Sequence, residues 1–124
     1  MADLVVGVGL RDGVGAAAVV TAVRSAIAEI DASPTDVVAL ATLDRKAAEL
    51  AVVRAAAELG VPVLGFTAAE LAAASVPNPS ARVAAVVGTP SVAEAAAILG
   101  SGGGELVARK RARDGVTVAL ARTV

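Results

Sequence analysis

Short apolar, valine-rich runs alternate along this chain with segments that have the periodicity of amphipathic helices. The runs Leu4–Gly9, Val37–Thr42 and Val61–Phe66 are typical of buried strands, because each is short, apolar and bounded by turn or polar residues. Between the first two runs, Ala16–Ile30 repeats its apolar side chains at helical spacing. Such alternation predicts a largely parallel sheet whose two faces are covered by helices.

A second helix is expected between the second and third strands. Asp44 is a plausible N-cap for it, and Gly60 is placed to close it at the C′ position. At helical spacing Leu50, Val53 and Ala57 share one side, which predicts the apolar face of this helix.

The remainder of the chain predicts further helices and a terminal hairpin. Residues 81–87 fit either a strand or a helix, and we favour a helix. The other elements expected here are a capping box at Thr67–Glu70, a second at Ser91–Glu94 that opens a helix to Leu99, and strands Glu105–Arg109 and Val116–Ala121 joined through Arg113–Gly115. The whole order predicts one α/β domain over residues 1–124. We expect three layers, α/β/α, around a mostly parallel sheet of about five strands with a C-terminal antiparallel hairpin.

Composition excludes several kinds of site. The chain has no Cys and no His, which removes the usual zinc ligands, thiol nucleophiles and imidazole bases, and no carboxylate cluster has metal-ligand spacing. The formal net charge of −1 and the single aromatic residue, Phe66, give no expectation of nucleic acid binding. No apolar run approaches the roughly 20 residues that span a bilayer, and no signal peptide is evident, so we expect a cytoplasmic protein without membrane contact.

A glycine-rich loop follows the first strand and is the first candidate site. Gly7, Gly9 and Gly13 surround Arg11, at the strand end where open α/β sheets bind ligands. A helix N-terminus offers free N–H groups there, and a guanidinium suits carboxylate or phosphate. Three interpretations stay open: an anion site, a nucleotide- or phosphate-binding module built on the Gly7–Gly15 loop, and a tight turn. The dinucleotide pattern is incomplete, because Asp12 stands where its third glycine would be.

A second candidate lies at the end of the second strand. Thr42, Asp44 and Lys46 would face the same edge of the sheet as the glycine loop. The simpler alternative is an N-cap aspartate followed by solvated basic residues.

A third candidate lies at the start of the helix that follows residue 90. Gly88, Thr89, Ser91 and Glu94 would form an anion site at the helix N-terminus, although a capping box alone explains Ser91 and Glu94. The charged run Arg109–Arg113 is interpreted as a solvated hairpin tip.

Five blocks in order, GVGLRDG, TLDRK, LGFTAAEL, VGTPSVAEAAA and ELVARKR, resemble the CobE/CbiG C-terminal domain family of cobalamin biosynthesis, in its stand-alone CobE-like form. The resemblance covers nearly the whole chain. Its most specific parts are Gly7-Val-Gly9 with Arg11 and Gly13, Asp44 with Lys46, and the block from Ser91 to Ala96. Family members often carry Cys where this chain has Leu10, so thiol chemistry is not expected at that position.

The resemblance implies a role in building the corrin ring of vitamin B12. The expected ligand is a precorrin intermediate, bound by the three candidate sites, and the expected partners are other enzymes of the pathway. The resemblance also suggests hydrolytic opening of the lactone of cobalt-precorrin-5A with release of acetaldehyde, for which Asp44, Lys46 and Glu94 are the catalytic candidates. No cofactor is expected, cobalt entering only within a corrinoid substrate.

Two alternatives remain beside this one. The first is the nucleotide- or phosphate-binding module already described. The second is a structural protein that assembles through its alanine-rich helix faces, and a homo-oligomer stays open in either case.

Overall fold

Five strands pair edge to edge into one sheet in the computed structural model, which describes residues 3–74 and 92–124. They are β1 (Leu4–Leu10), β2 (Val37–Leu43), β3 (Val63–Phe66), β4 (Leu106–Arg113) and β5 (Val116–Arg122). Their order is β3-β2-β1-β5-β4. β1 is parallel to β2, and β2 to β3, whereas β5 is antiparallel to both β1 and β4. The predicted five-stranded, mostly parallel sheet with a C-terminal antiparallel hairpin is therefore confirmed.

Helices cover both faces of the sheet. They are α1 (Ala16–Glu29), α2 (Asp44–Ala47), α3 (Leu50–Leu59), α4 (Ala68–Ala73) and α5 (Val92–Gly100), with a 3-10 turn at Pro34–Asp36. One core cluster joins α1 and α3 to one face, and two smaller clusters join α4 and α5 to the other. This is the predicted three-layer α/β/α arrangement.

Side chains of β1 pack into the core on both faces of the sheet. Val6 and Val8 are fully buried among the residues of α1, whereas Val5 contributes to the cluster that includes α4 and α5. On the α5 side the contacting residues are small, so the helix backbone lies close to the sheet. That cluster consists of Ala93, Ala97, Ala119 and Ala121.

The second predicted helix is interrupted. Helix α2 starts at Asp44 itself, so its N-cap is Leu43 and not Asp44, and no side chain caps it. α2 ends at Ala47, and α3 begins three residues later with Gly60 in the left-handed conformation at its end (φ 73°), as predicted.

The buried side of α3 is not the predicted one. The predicted apolar face is exposed, with Leu50 61% and Val53 46% accessible. The residues of that face do share one side of α3, but the side that packs on the core carries small side chains, which let the helix approach closely. The residues that enter the core are Val52, Ala55 and Ala56.

The basic run near the C-terminus is strand and not hairpin tip. β4 extends to Arg113, and the turn consists of Asp114 and Gly115, both at positive φ (51° and 82°). The charged side chains correctly indicated a solvent-exposed segment. An edge strand exposes its side chains as a loop does, so charge alone could not distinguish the two.

Elsewhere the capping box of Thr67 and Glu70 is present as predicted. The predictions for residues 77–91, including the helix over 81–87 and the position of Ser91, lie outside the described residues. Within the described ranges, no helix is long and apolar enough to cross a membrane.

Candidate ligand-binding site

The loop between β1 and α1 is a turn built on glycine and anchored to the terminal hairpin. The Arg11 N–H donates to the Gly115 carbonyl oxygen at 3.0 Å. Gly13 adopts φ +85°, which a side chain would strain, and Gly15 is the N-cap of α1 without a side-chain capping bond. Gly13 therefore serves a tight turn, which was one of the three interpretations of this loop. The Arg11 side chain is exposed at the edge of the sheet.

The two glycines of β1 serve different purposes. A Cβ on Gly7 would overlap the Ala93 carbonyl oxygen and lie 2.7 Å from the Ala97 nitrogen, so Gly7 permits the close approach of α5. A Cβ on Gly9 would make only ordinary contacts, the nearest being the Val92 Cβ at 3.8 Å. Gly7 therefore lies in the layer where α5 packs on β1, and Gly9 lines a cleft.

A cleft of about 480 Å³ opens beyond the carboxyl end of β1. We call it the basic cleft. Its lining includes three cations and one carboxylate, from the loop after β1 and from the terminal hairpin: Arg11, Lys110, Arg113 and Asp114. Gly9 of β1, Thr117 of β5 and the first turn of α5 complete it. The N-terminal turn of α5 adds the partial positive charge of a helix start to these cations. An anion with a small apolar surface fits this combination.

Two of the three cations of the basic cleft have side chains without a partner in the described part of the chain. Among the described residues, the side chains of Arg11 and Lys110 make no ion pair, and both are exposed. Arg113 instead donates from Nη1 to the Ser25 hydroxyl at 2.9 Å and lies 3.8 Å from the Asp114 carboxylate. Lys110 was not predicted as a site residue, because the sequence placed it in a hairpin tip. The high density of basic residues over 109–113 was the signal that could have indicated an anion site.

Lys46 lies beside the glycine loop, as predicted, but its ammonium is already bound. It donates to the Asp12 carboxylate at 2.6 Å and lies 3.2 Å from that of Glu49, and its side chain is only 15% exposed. The hydrogen bond and charge of Lys46 lower the pKa of Asp12. The pKa of Lys46 is raised, chiefly by the bond to Asp12, against an opposing effect of burial. Both groups are therefore charged at neutral pH.

Thr42 and Asp44 flank this contact in different ways. Thr42 is fully buried and its hydroxyl donates to the Val8 carbonyl oxygen at 2.7 Å, which ties β2 to β1. Asp44 is exposed at the start of α2 and packs over Gly65, where a Cβ would lie 3.2 Å from its Oδ1. Asp44 thus stands at the same edge of the sheet as Arg11, whereas Thr42 has no exposed surface there.

Glu94 links α5 to the edge strand next to the basic cleft. The Lys110 N–H donates to its carboxylate at 3.2 Å. Between Ala108 and Arg111 β4 advances three residues while β5 advances two, so a bulge frees that N–H from the ladder. Glu94 thereby positions the backbone of Lys110. The remaining members of the third candidate site, Gly88, Thr89 and Ser91, lie outside the described residues.

The acidic residues do not assemble a metal centre in the part of the chain that the structure describes. No group of three or more Asp or Glu side chains comes close enough to share an ion there. The chemistry on offer at this edge of the sheet is recognition of an anion by cations and backbone N–H groups.

Sequence comparison points to one pathway. A family model described as "Cobalamin synthesis G C-terminus" matches residues 4–121. Protein CobE from Sinorhizobium sp is 37% identical over 103 residues, which are 82% of this chain and 67% of that protein. The cobalt-precorrin-5A hydrolase of Priestia megaterium is 31% identical over 118 residues, or 95% of this chain. The matched region is only 32% of the length of that hydrolase.

Solved structures share the fold. CobE, a protein from the cobalamin (vitamin B12) biosynthetic pathway, superposes with a TM-score of 0.79 at 31% identity, covering 98% of this chain and 94% of its own. Cobalamin biosynthesis protein chiG from Agrobacterium tumefaciens gives 0.76 at 32% identity, covering 97% and 98%. A cobalamin biosynthesis protein G homolog from Sulfolobus solfataricus gives 0.75 over 99% of this chain and 37% of its own, and at 17% identity it supports the fold alone.

Proposed function

Because this chain belongs to the CobE/CbiG C-terminal family of cobalamin biosynthesis, we propose that it binds a carboxylated corrinoid intermediate of that pathway in the basic cleft. One observation carries the proposal. Arg11 and Lys110 stand at this cleft, exposed and without an ion pair among the described residues, next to the N-terminal turn of α5.

The chemistry of the ligand matches this arrangement. A corrin intermediate is an apolar macrocycle whose rim carries acetate and propionate carboxylates. The Arg11 guanidinium can hold a carboxylate through two parallel hydrogen bonds, and Lys110 can act as a point charge beside it. Val92 and Ala112 add apolar surface to the lining of the cleft. A cleft of about 480 Å³ suits one edge of the macrocycle with its carboxylates, while the remainder of the ring extends beyond it.

Binding, rather than lactone hydrolysis, is the activity we assign to this domain. Hydrolysis needs a base that activates water. Of the three catalytic candidates, Lys46 is paired with Asp12 and Glu49, and the Glu94 carboxylate accepts the Lys110 N–H. Asp44 is the exposed candidate that remains, and the chain corresponds to 32% of the hydrolase relative. Asp44, Lys46 and Glu94 stay predictions, which an acetaldehyde-release assay tests directly.

The test is a titration followed by corrin absorbance. The probes are dicyanocobyrinic acid, whose side-chain carboxylates are free, and its methyl ester, which has the same ring without the charges. We expect the acid to bind and the ester to bind much more weakly. Arg11→Ala and Lys110→Ala should each weaken binding of the acid by about tenfold, since each removes one charge-assisted contact.

Arg54→Ala is the matched control, because Arg54 is exposed on α3, away from the basic cleft, and makes no ion pair among the described residues. It should bind the acid as the unaltered protein does. Parallel titrations with ATP and NAD test the nucleotide alternative. Nucleotide binding without corrinoid binding, or equal binding of acid and ester, would contradict the proposal.

A further inference from the structure

We infer that Lys46 is a positioning residue: by holding Asp12, it fixes the glycine loop so that Arg11 is presented to the basic cleft. The inference rests on the proposed function for its ligand, and it assigns Lys46 a task other than contact with the substrate. We call the group of Lys46, Asp12 and Glu49 the loop latch.

The geometry of the loop latch joins two elements that are distant in sequence. Lys46 belongs to α2, which follows β2, and Asp12 lies 34 residues earlier, in the loop after β1. The Asp12 side chain is 95% exposed and relies on this bond, whereas the Lys46 side chain is 85% covered. The second carboxylate, Glu49, holds the ammonium from the other side at 3.2 Å. Lys46 is therefore enclosed by its surroundings, and Asp12 is the solvent-exposed partner.

Apart from the loop latch, the glycine loop is restrained by the packing of Val14 against the core and by a few backbone bonds. These include Arg11 N–H to the Gly115 oxygen at 3.0 Å and Val14 N–H to the Arg11 oxygen at 3.4 Å, a marginal length. A Cβ at Gly13 or Gly15 would meet nothing within 4 Å, so neither glycine is enclosed by neighbours. Among the described residues, the bond to Lys46 is the side-chain contact that attaches this loop to α2.

Arg11 is consequently restrained on both sides. Its own N–H is fixed to Gly115 of the hairpin, and the residue that follows it is fixed to Lys46. Both restraints limit the positions from which the guanidinium reaches the cleft. A site whose groups are already in place loses less conformational entropy on binding, so a fixed Arg11 should bind a carboxylate more tightly than a mobile one.

Electrostatics alone predicts a different pattern, and the difference makes the inference testable. Lys46→Met removes a positive charge near the cleft, which by itself weakens binding of an anion. Asp12→Ala removes a negative charge, which by itself strengthens it. If the loop latch positions Arg11, both variants weaken binding of dicyanocobyrinic acid, by about fivefold each. The double variant should then be no weaker than either single one, because the same restraint is lost in all three.

Two controls accompany these variants. Arg45→Met removes a neighbouring charge that makes no hydrogen bond or ion pair within the described residues, and it should change affinity little. Lys46→Arg retains a cation that can reach Asp12 and should restore most of the affinity. Thermal unfolding of each variant establishes that the fold is intact.

Amide hydrogen exchange in the ligand-free protein supplies a reading that needs no corrinoid. The Arg11 and Val14 amides should exchange faster in Lys46→Met and Asp12→Ala than in Arg45→Met. Unchanged exchange in both variants, or tighter binding of the acid by Asp12→Ala, would overturn the inference while leaving the proposed function standing. If the unaltered protein binds no acid at all, the proposed function fails, and the exchange rates alone decide whether Lys46 fixes the loop.

Discussion

At the scale of single residues, the loop latch depends on protonation at both of its ends. The bond and charge of Lys46 lower the pKa of Asp12, with a smaller contribution from Arg45. The pKa of Lys46 is raised by Asp12 first and also by Glu49, although burial acts against this. The contribution of Asp12 is present above its ordinary pKa and is lost as pH falls through the lowered value. That of Lys46 is present below its ordinary pKa and is lost as pH rises through the raised value.

The loop latch should therefore be intact from about pH 5 to about pH 9 and open only outside that interval. An NMR titration of the Asp12 carboxyl carbon checks this. We expect its pKa to be lower in the unaltered protein than in Lys46→Met, where the partner is gone. Equal values in the two proteins would show that the bond does not persist in solution.

At the scale of elements, β1 and α5 contact each other so closely that Gly7 leaves no room for a side chain. Helix α5 carries alanines toward the sheet, and Gly7 lies where the helix backbone comes nearest. Since the N-terminal turn of α5 forms part of the basic cleft, this close approach also sets the position of the helix start beside Arg11 and Lys110. The glycine thus contributes to the site through packing.

Gly7→Ala should lower the free energy of unfolding by roughly 2 kcal/mol or more, because the added methyl overlaps backbone atoms that cannot rotate away. Gly9→Ala, two residues further along the same strand, has ordinary contacts for its methyl and should change stability little. Denaturant unfolding of the two variants measures the difference. Equal stability would mean that α5 can withdraw from the sheet without loss.

At the scale of the whole molecule, charge is distributed unevenly. The formal net charge is −1, yet four of the 11 Lys and Arg residues fall within residues 109–113. The order β1-β5-β4 brings that basic strand to the edge next to the β1 end, where Lys110 and Arg113 meet Arg11. An anion approaching this edge experiences local positive charge on a molecule that is slightly negative overall.

Affinity for dicyanocobyrinic acid should consequently fall as NaCl rises from about 50 to about 500 mM, because exposed charges are screened over this interval. Lys110→Ala should show a shallower dependence on salt than the unaltered protein, and Arg54→Ala the same dependence. The absorbance titration repeated at several salt concentrations measures this. Affinity that is independent of salt would argue that carboxylates are not the recognised groups.

Much of the architecture could be predicted from local patterns. The strand runs, the capping box at Thr67 and the closing glycine at position 60 all express preferences that act over a few residues, and the structure confirms them. The break between α2 and α3 was not predicted, because no proline or glycine marks it. The buried side of α3 was not predicted either, because Leu50 and Val53 fit the helical spacing but lie on its exposed side.

For the site, the sequence by itself determined that an arginine and a set of glycines follow the first strand and that Lys46 follows the second. It also determined the family, through blocks that span nearly the whole chain. Only the tertiary structure decided that Gly7 serves the packing of α5, that Lys46 binds Asp12, and that Lys110 reaches the cleft through β4. The physical reason is distance along the chain: propensity and capping act between neighbours, whereas close approach, ion pairing and strand order join residues that the sequence separates by tens of positions.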